Sequence, residues 1–98
     1  MYKNNIKTIS ITMDNTSVLK LLDSKLAEVL LIVLKQVNPT TYQWMSSKGN
    51  RKSIEHKLNM SYPTVSRYIL MLRDKDILLQ GEYAARGEYI LNKKIIKL

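Results

Sequence analysis

The sequence predicts one small α+β domain, mainly α-helical with a small antiparallel sheet, spanning residues 1–98. Three observations predict this class. Residues 50–76 carry two helical patterns joined by a tight turn. Residues 77–92 carry two short apolar runs around a glycine-containing stretch, which is typical of a β-hairpin. The 45% content of apolar residues is enough for a single modest core. We expect a leading strand, three to four helices and a C-terminal hairpin.

The start of the chain predicts a strand. Residues 1–7 are expected to be a flexible N-terminus. In residues 7–13, Ile9, Ile11 and Met13 alternate with hydroxyl side chains, as in a half-buried strand. A lone strand needs a partner, which is either the sheet of the hairpin or a second copy of the chain.

Two helices are predicted next. Asp14 or Asn15 can cap a short helix that runs through Leu22. Residues 25–37 form a stronger helix that is apolar nearly all round, so we expect it at the centre of the domain or across a dimer interface. This helix ends before Pro39, because a residue that precedes proline leaves the helical region.

Residues 40–45 are rich in β-formers and predict a third small strand. Tyr42 and Trp44 are expected on one face of that strand, with Gln43 and Met45 on the other. We expect Trp44 in the core, with its indole N–H bonded to a carbonyl. The alternative is an exposed ring that stacks on a base.

Residues 50–76 predict a helix, a turn and a longer helix. Asn50 is expected to cap the first helix, and Asn59 tolerates a left-handed backbone in the turn. Ser61 can cap the second helix, with Pro63 in its first turn. The pattern indicates a helix-turn-helix; the alternative is an ordinary helical hairpin with solvated charges.

The second helix of this pair presents hydroxyls and cations on its leading surface. A helix-turn-helix protein places that part of its second helix in the major groove, where Arg67 could form a fork onto guanine. Arg86, near the hairpin tip, is either a phosphate or minor-groove contact or a solvated loop arginine. The candidate DNA-contacting residues are Lys48, Asn50, Arg51, Lys52, Ser61, Tyr62, Thr64, Ser66, Arg67, Tyr68 and Arg86.

The charge of the chain is strongly positive. It contains 16 Lys and Arg against 8 Asp and Glu, a net charge of +8. Residues 48–98 hold 11 of these cations against 5 anions, so the excess coincides with the helix pair and the hairpin. This favours a nucleic-acid partner. No apolar run is long enough to cross a bilayer, and without an export signal or cysteines we expect a cytoplasmic protein with no membrane partner.

The residues that catalysis or metal binding would need are scarce. The only histidine, His56, lies between Glu55 and Lys57 and is expected on an exposed helix face. There is no cysteine, and three glycines do not form a phosphate-binding loop. We therefore expect no enzymatic activity, no cofactor and no metal.

Two stretches, SYPTVSRYILMLRDKDIL and GEYILNKKII, together with the order of the segments, resemble plasmid replication-initiation and maintenance proteins of the RepL type. The DNA-binding part of that family is similar to MarR-like and other winged-helix regulators. Its pattern falls here on Ser61, Thr64, Val65, Leu72, Ile77, Leu78, Gly87, Tyr89, Leu91 and Asn92. Lys93 stands where the family usually has proline. The resemblance covers roughly residues 8–96 and implies a winged helix-turn-helix, with residues 77–92 as the wing.

Two functions follow from these observations. The first is sequence-specific binding of double-stranded DNA by a homodimer, for replication initiation or transcriptional control in a plasmid, phage or mobile element. The second is a winged-helix module that binds a protein of the replication or transcription machinery. Leu70 and Met71, apolar residues on the second helix of the pair, suggest this alternative.

Overall fold

The structure, a computed structural model, describes residues 22–81 and 86–98. These residues form three helices and a three-stranded antiparallel sheet. The predicted leading strand at residues 7–13 and most of the predicted short helix that follows lie outside these residues. The elements, in chain order, are α1 (Ser24–Gln36), β1 (Gln43–Met45), α2 (Lys48–Leu58), α3 (Tyr62–Asp74), β2 (Leu78–Leu79) and β3 (Glu88–Leu91).

Helix α1 lies against the other two helices and forms the centre of the core. It begins after Asp23, whose carboxylate accepts a hydrogen bond of 2.9 Å from the Leu26 N–H, an N-cap that satisfies a donor the helix leaves free. Leu26, Leu30 and Val33 are fully buried. Leu31 is 44% exposed, so this apolar helix still has one open side.

The capping of α2 differs from the prediction. Ser47, rather than Asn50, is the N-cap, and its Oγ accepts a hydrogen bond of 3.2 Å from the Asn50 N–H. The side chain of Asn50 is used elsewhere, since its Nδ2 donates to the Met45 carbonyl at 2.8 Å. At the other end of α2, Asn59 has the left-handed backbone that was predicted, with φ 53°.

Helix α3 follows its prediction closely. Ser61 caps it and Pro63 lies in its first turn. Val65, Ile69 and Leu72 form the buried stripe expected from their spacing.

The sheet has the strand order β1-β3-β2. Trp44 lies opposite Tyr89, and Leu78 lies opposite Leu91. All four side chains are buried, which defines the inner face of the sheet. On the outer face the largest exposed apolar side chains are Met45, Leu79 and Ile90.

Trp44 is in the core, as predicted, and its Nε1 donates to the side-chain carbonyl of Gln36 at 2.9 Å. The prediction that Tyr42 shares its face of the strand is wrong. Tyr42 precedes β1 and has a left-handed backbone, with φ 63°, so the strand alternation does not extend to it. Its hydroxyl instead accepts a hydrogen bond of 2.8 Å from the Leu98 N–H in the C-terminal tail.

The outer edge of β1 is largely closed by hydrogen bonds. The Gln43 carbonyl accepts from the Asn38 N–H at 2.9 Å, and the Gln43 N–H donates to Thr41 Oγ1 at 3.2 Å. The Met45 carbonyl is taken by the side chain of Asn50. These hydrogen bonds occupy most of the backbone groups through which a further strand would pair at β1.

Candidate nucleic-acid interface

An open groove of about 460 Å³ lies where the first turns of α2 and α3 meet. Four of the predicted DNA-contacting residues line it, and Ser46 and Glu55 complete the lining. The four are Lys48, Arg51, Lys52 and Tyr62. Because three are cations and Glu55 is the one carboxylate among the lining residues, the groove is suited to an anionic ligand.

Arg51 is a groove residue whose side chain makes hydrogen bonds and a ring contact inside the protein. Its Nη1 donates to Ser46 Oγ at 3.0 Å, and its Nη2 donates to the Ser66 hydroxyl on α3. The guanidinium carbon lies 4.3 Å from the centroid of the Tyr62 ring, a cation–π contact. Lys48 and Lys52, by contrast, are exposed.

Ser46 links the groove to the start of β3. Its N–H donates to the Gly87 carbonyl at 2.7 Å, and a Cβ added at Gly87 would lie 3.7 Å from the Ser46 Cβ. Gly87 has a φ of 82°, which glycine adopts without strain. Arg86, the preceding residue, is exposed in the same turn. Ser46 therefore connects the groove to this turn.

The first turn of α3 uses part of its polar side chains for its own folding. Ser61 Oγ and Thr64 Oγ1 lie 2.9 Å apart in a mutual hydrogen bond. Tyr62 is 61% exposed and Arg67 is also exposed, so both can reach a ligand. Tyr68 is half-buried and packs against the core.

The predicted site residues thus separate into groups. Lys48, Lys52, Tyr62 and Arg67 present accessible polar groups, as does Arg86 at the turn before β3. The remaining predicted residues have their polar groups engaged within the protein or their ring on the core. They are Asn50, Arg51, Ser61, Thr64, Ser66 and Tyr68.

Glu55 is a groove residue that the sequence reasoning missed. The sequence does not single it out as a site residue, whereas the structure has it half-buried and lining the groove. The signal was present, because Glu55 follows Arg51 by four positions and such pairs share a helix face. His56, one position further on, is exposed as predicted.

The described residues contain no group of three or more metal-binding side chains. None of the helices in those two stretches of chain combines the length and apolar character needed to cross a bilayer. Comparisons with protein-family models, with curated proteins and with solved structures gave no match.

Proposed function

We propose that this chain binds double-stranded DNA through the groove and the exposed first half of α3. The observation that carries the proposal is that Lys48 and Lys52 line the groove beside the exposed Tyr62, with Arg67 exposed further along α3. Lysine and arginine side chains that neutralise phosphates release counterions from DNA, and this release supplies affinity for any sequence. The net charge of +8 supports the same partner.

The proposed fold is a winged helix-turn-helix. The order α1, β1, α2, α3, β2 and β3 is consistent with it. In this reading α3 is the recognition helix in the major groove, and the β2–β3 hairpin is the wing. Arg86 would then contact a phosphate or the minor groove beside the site.

The proposed role is replication initiation or transcriptional control in a plasmid, phage or mobile element, in the cytoplasm. Replication initiation is one of the two roles because the α3 and β3 stretches resemble RepL-type proteins. A homodimer would place two copies of α3 in successive major grooves, about one helical turn apart. No catalytic step or cofactor is part of this proposal.

The primary experiment is a fluorescence anisotropy titration with random-sequence double-stranded DNA at low and at physiological salt. We expect binding whose affinity falls steeply as salt is raised, because several phosphate contacts form. The bound protein would then be used to select a preferred site from a random library. Absence of binding at low salt would overturn the proposal.

Arg67 tests the assignment of α3 as the recognition helix. We expect Arg67→Ala to weaken binding to the selected site by about tenfold or more and to relax base preference at one position, the effect of losing a bidentate guanine contact. Arg73→Ala, an exposed cation at the opposite end of the same helix, is the matched control. Unchanged affinity and specificity in Arg67→Ala would mean that α3 does not read the bases.

A second candidate function is docking of a replication or transcription protein. The observation that favours it is Leu70, which is 41% exposed on α3, whereas Met71 is half-buried and packs against the core. An apolar contact is nearly insensitive to salt, unlike contacts to phosphate. Salt-insensitive binding to a protein partner, lost in Leu70→Ser, would support this function.

A further inference from the structure

Arg51 differs from the other cations of the groove in how its charge is used. Lys48 and Lys52 are exposed, whereas Arg51 is half-buried. Its two terminal nitrogens donate to hydroxyls on two other segments, Ser46 before α2 and Ser66 on α3. Its Nε is buried and has no partner among the described residues. Two of the five N–H donors of this guanidinium are therefore committed before any ligand arrives, and a third, on Nε, is closed to solvent.

One face of the guanidinium is also occupied, because it lies over the Tyr62 ring at 4.3 Å. A phosphate that took the N–H groups now directed at Ser46 and Ser66 would have to displace both hydroxyls in a partly desolvated place. Such bonds to a charged group are among the strongest that side chains make in water-poor surroundings. These two bonds hold the guanidinium in its intramolecular arrangement.

These contacts connect the segments that would face DNA. Ser46 donates its N–H to the Gly87 carbonyl at 2.7 Å, at the turn before β3. Arg51 thus spans from that turn, through Ser46, to Tyr62 and Ser66 at the start of α3. We infer that Arg51 is a positioning residue for DNA binding, which fixes α3 relative to the hairpin and does not itself bind a phosphate. The inference rests on the proposed DNA-binding function.

The chemistry of arginine is required for this task. A planar guanidinium donates from two separate nitrogens to hydroxyls on different segments while its face packs on an aromatic ring, whereas an ammonium group has a single nitrogen and no planar face. Because Arg51 donates to Ser66 Oγ, the hydroxyl proton of Ser66 remains available for another acceptor. Arg51 therefore orients the surface that α3 presents.

The test compares Arg51→Lys and Arg51→Met with Lys52→Met, a matched change at the neighbouring exposed cation. Affinities are measured by anisotropy over a salt series, on the duplex selected by the wild-type protein and on random-sequence duplex. We expect both Arg51 variants to weaken binding to the selected duplex by about tenfold, with little effect on random duplex and an unchanged salt slope. Lys52→Met should weaken binding to the selected and the random duplex alike, and should lower the magnitude of the salt slope by about 0.9.

A phosphate-binding Arg51 would give a different result. Arg51→Lys would then keep nearly wild-type affinity. In Arg51→Met, the slope of log affinity against log salt would fall in magnitude by about 0.9 on both duplexes. This pattern overturns the inference, while the proposed DNA binding stands. Wild-type protein that binds no DNA overturns the inference together with the proposed function. The three results are distinguishable in one data set.

Ser66→Ala provides a second variant that keeps the charge of Arg51, in case Arg51→Met does not fold. It should weaken binding to the selected duplex without changing the salt slope. Its effect should shrink in an Arg51→Lys background, because the two changes remove the same contact. Wild-type affinity in Ser66→Ala, or full additivity with Arg51→Lys, overturns the inference.

Discussion

Trp44 and Arg51 both join the region of β1 to the helices, but one does so in the closed core and the other in an open groove. Trp44 is fully buried, donates to Gln36 and packs against the Tyr89 ring at a centroid distance of 5.8 Å. Arg51 makes its contacts on a surface that solvent and ligands can reach. A buried anchor acts on stability alone, whereas a residue in an open groove can act on binding. The two functions are therefore separated on this small domain.

Replacing the core anchor should produce the largest loss of stability. We expect Trp44→Ala to lower the free energy of unfolding by about 3–5 kcal/mol, because a large cavity forms and the Gln36 carbonyl loses its donor. Urea unfolding followed by circular dichroism measures it, since the chain has no other tryptophan. Met45→Ala, at a neighbouring side chain that is 42% exposed, should cost less than about 1 kcal/mol. Similar losses in the two variants would show that Trp44 is not the anchor.

Gln36 tests how the buried Trp44 is connected to α2, the helix that carries Arg51. Its Oε1 accepts from Trp44, and its Nε2 donates to the Asn50 carbonyl at 3.1 Å. Gln36→Leu leaves the buried indole N–H without a partner and should lower the free energy of unfolding by about 1–3 kcal/mol. Tryptophan fluorescence during urea unfolding reports the change. Lys35→Leu, at the adjacent exposed position, is the control, and an equal loss there would argue against a role for the hydrogen bonds.

The smallest expected effect concerns the start of α2, the helix that carries Arg51. Ser47→Ala should lower the free energy of unfolding by about 1 kcal/mol, because the N-cap acceptor of the Asn50 N–H is lost. Ser47→Asp restores an acceptor and should recover most of that loss in the same urea experiment. If alanine and aspartate behave alike at this position, Ser47 is not the cap in solution.

Local chemistry accounts for the predictions that the structure confirms. The Ser61 cap, the left-handed Asn59 and the buried stripe of Val65, Ile69 and Leu72 each depend on residues a few positions apart. Capping and helical periodicity operate over that range, so the sequence carries the full signal. The predicted burial of Trp44 is also confirmed, because a large apolar ring in a short strand is most stable on the face that packs on the core.

The predictions that the structure corrects depend on neighbouring elements and not on local sequence alone. Asn50 has a side chain suited to capping, but the route of β1 brings the Met45 carbonyl to it, and Ser47 takes the cap. The sequence predicts Tyr42 in a strand, yet its backbone is left-handed because the chain turns there before β1. In each case a neighbouring element competed with the local preference.

The sequence by itself determined the net positive charge and the positions of the helices α1 and α3, because charge and apolar spacing are properties of the chain. Only the tertiary structure decided what Arg51 does. From the sequence it is one cation among several, while its partner Ser66 lies 15 positions away. Packing of α2 on α3 brings the two together, and a contact of that separation exists only once the fold has formed.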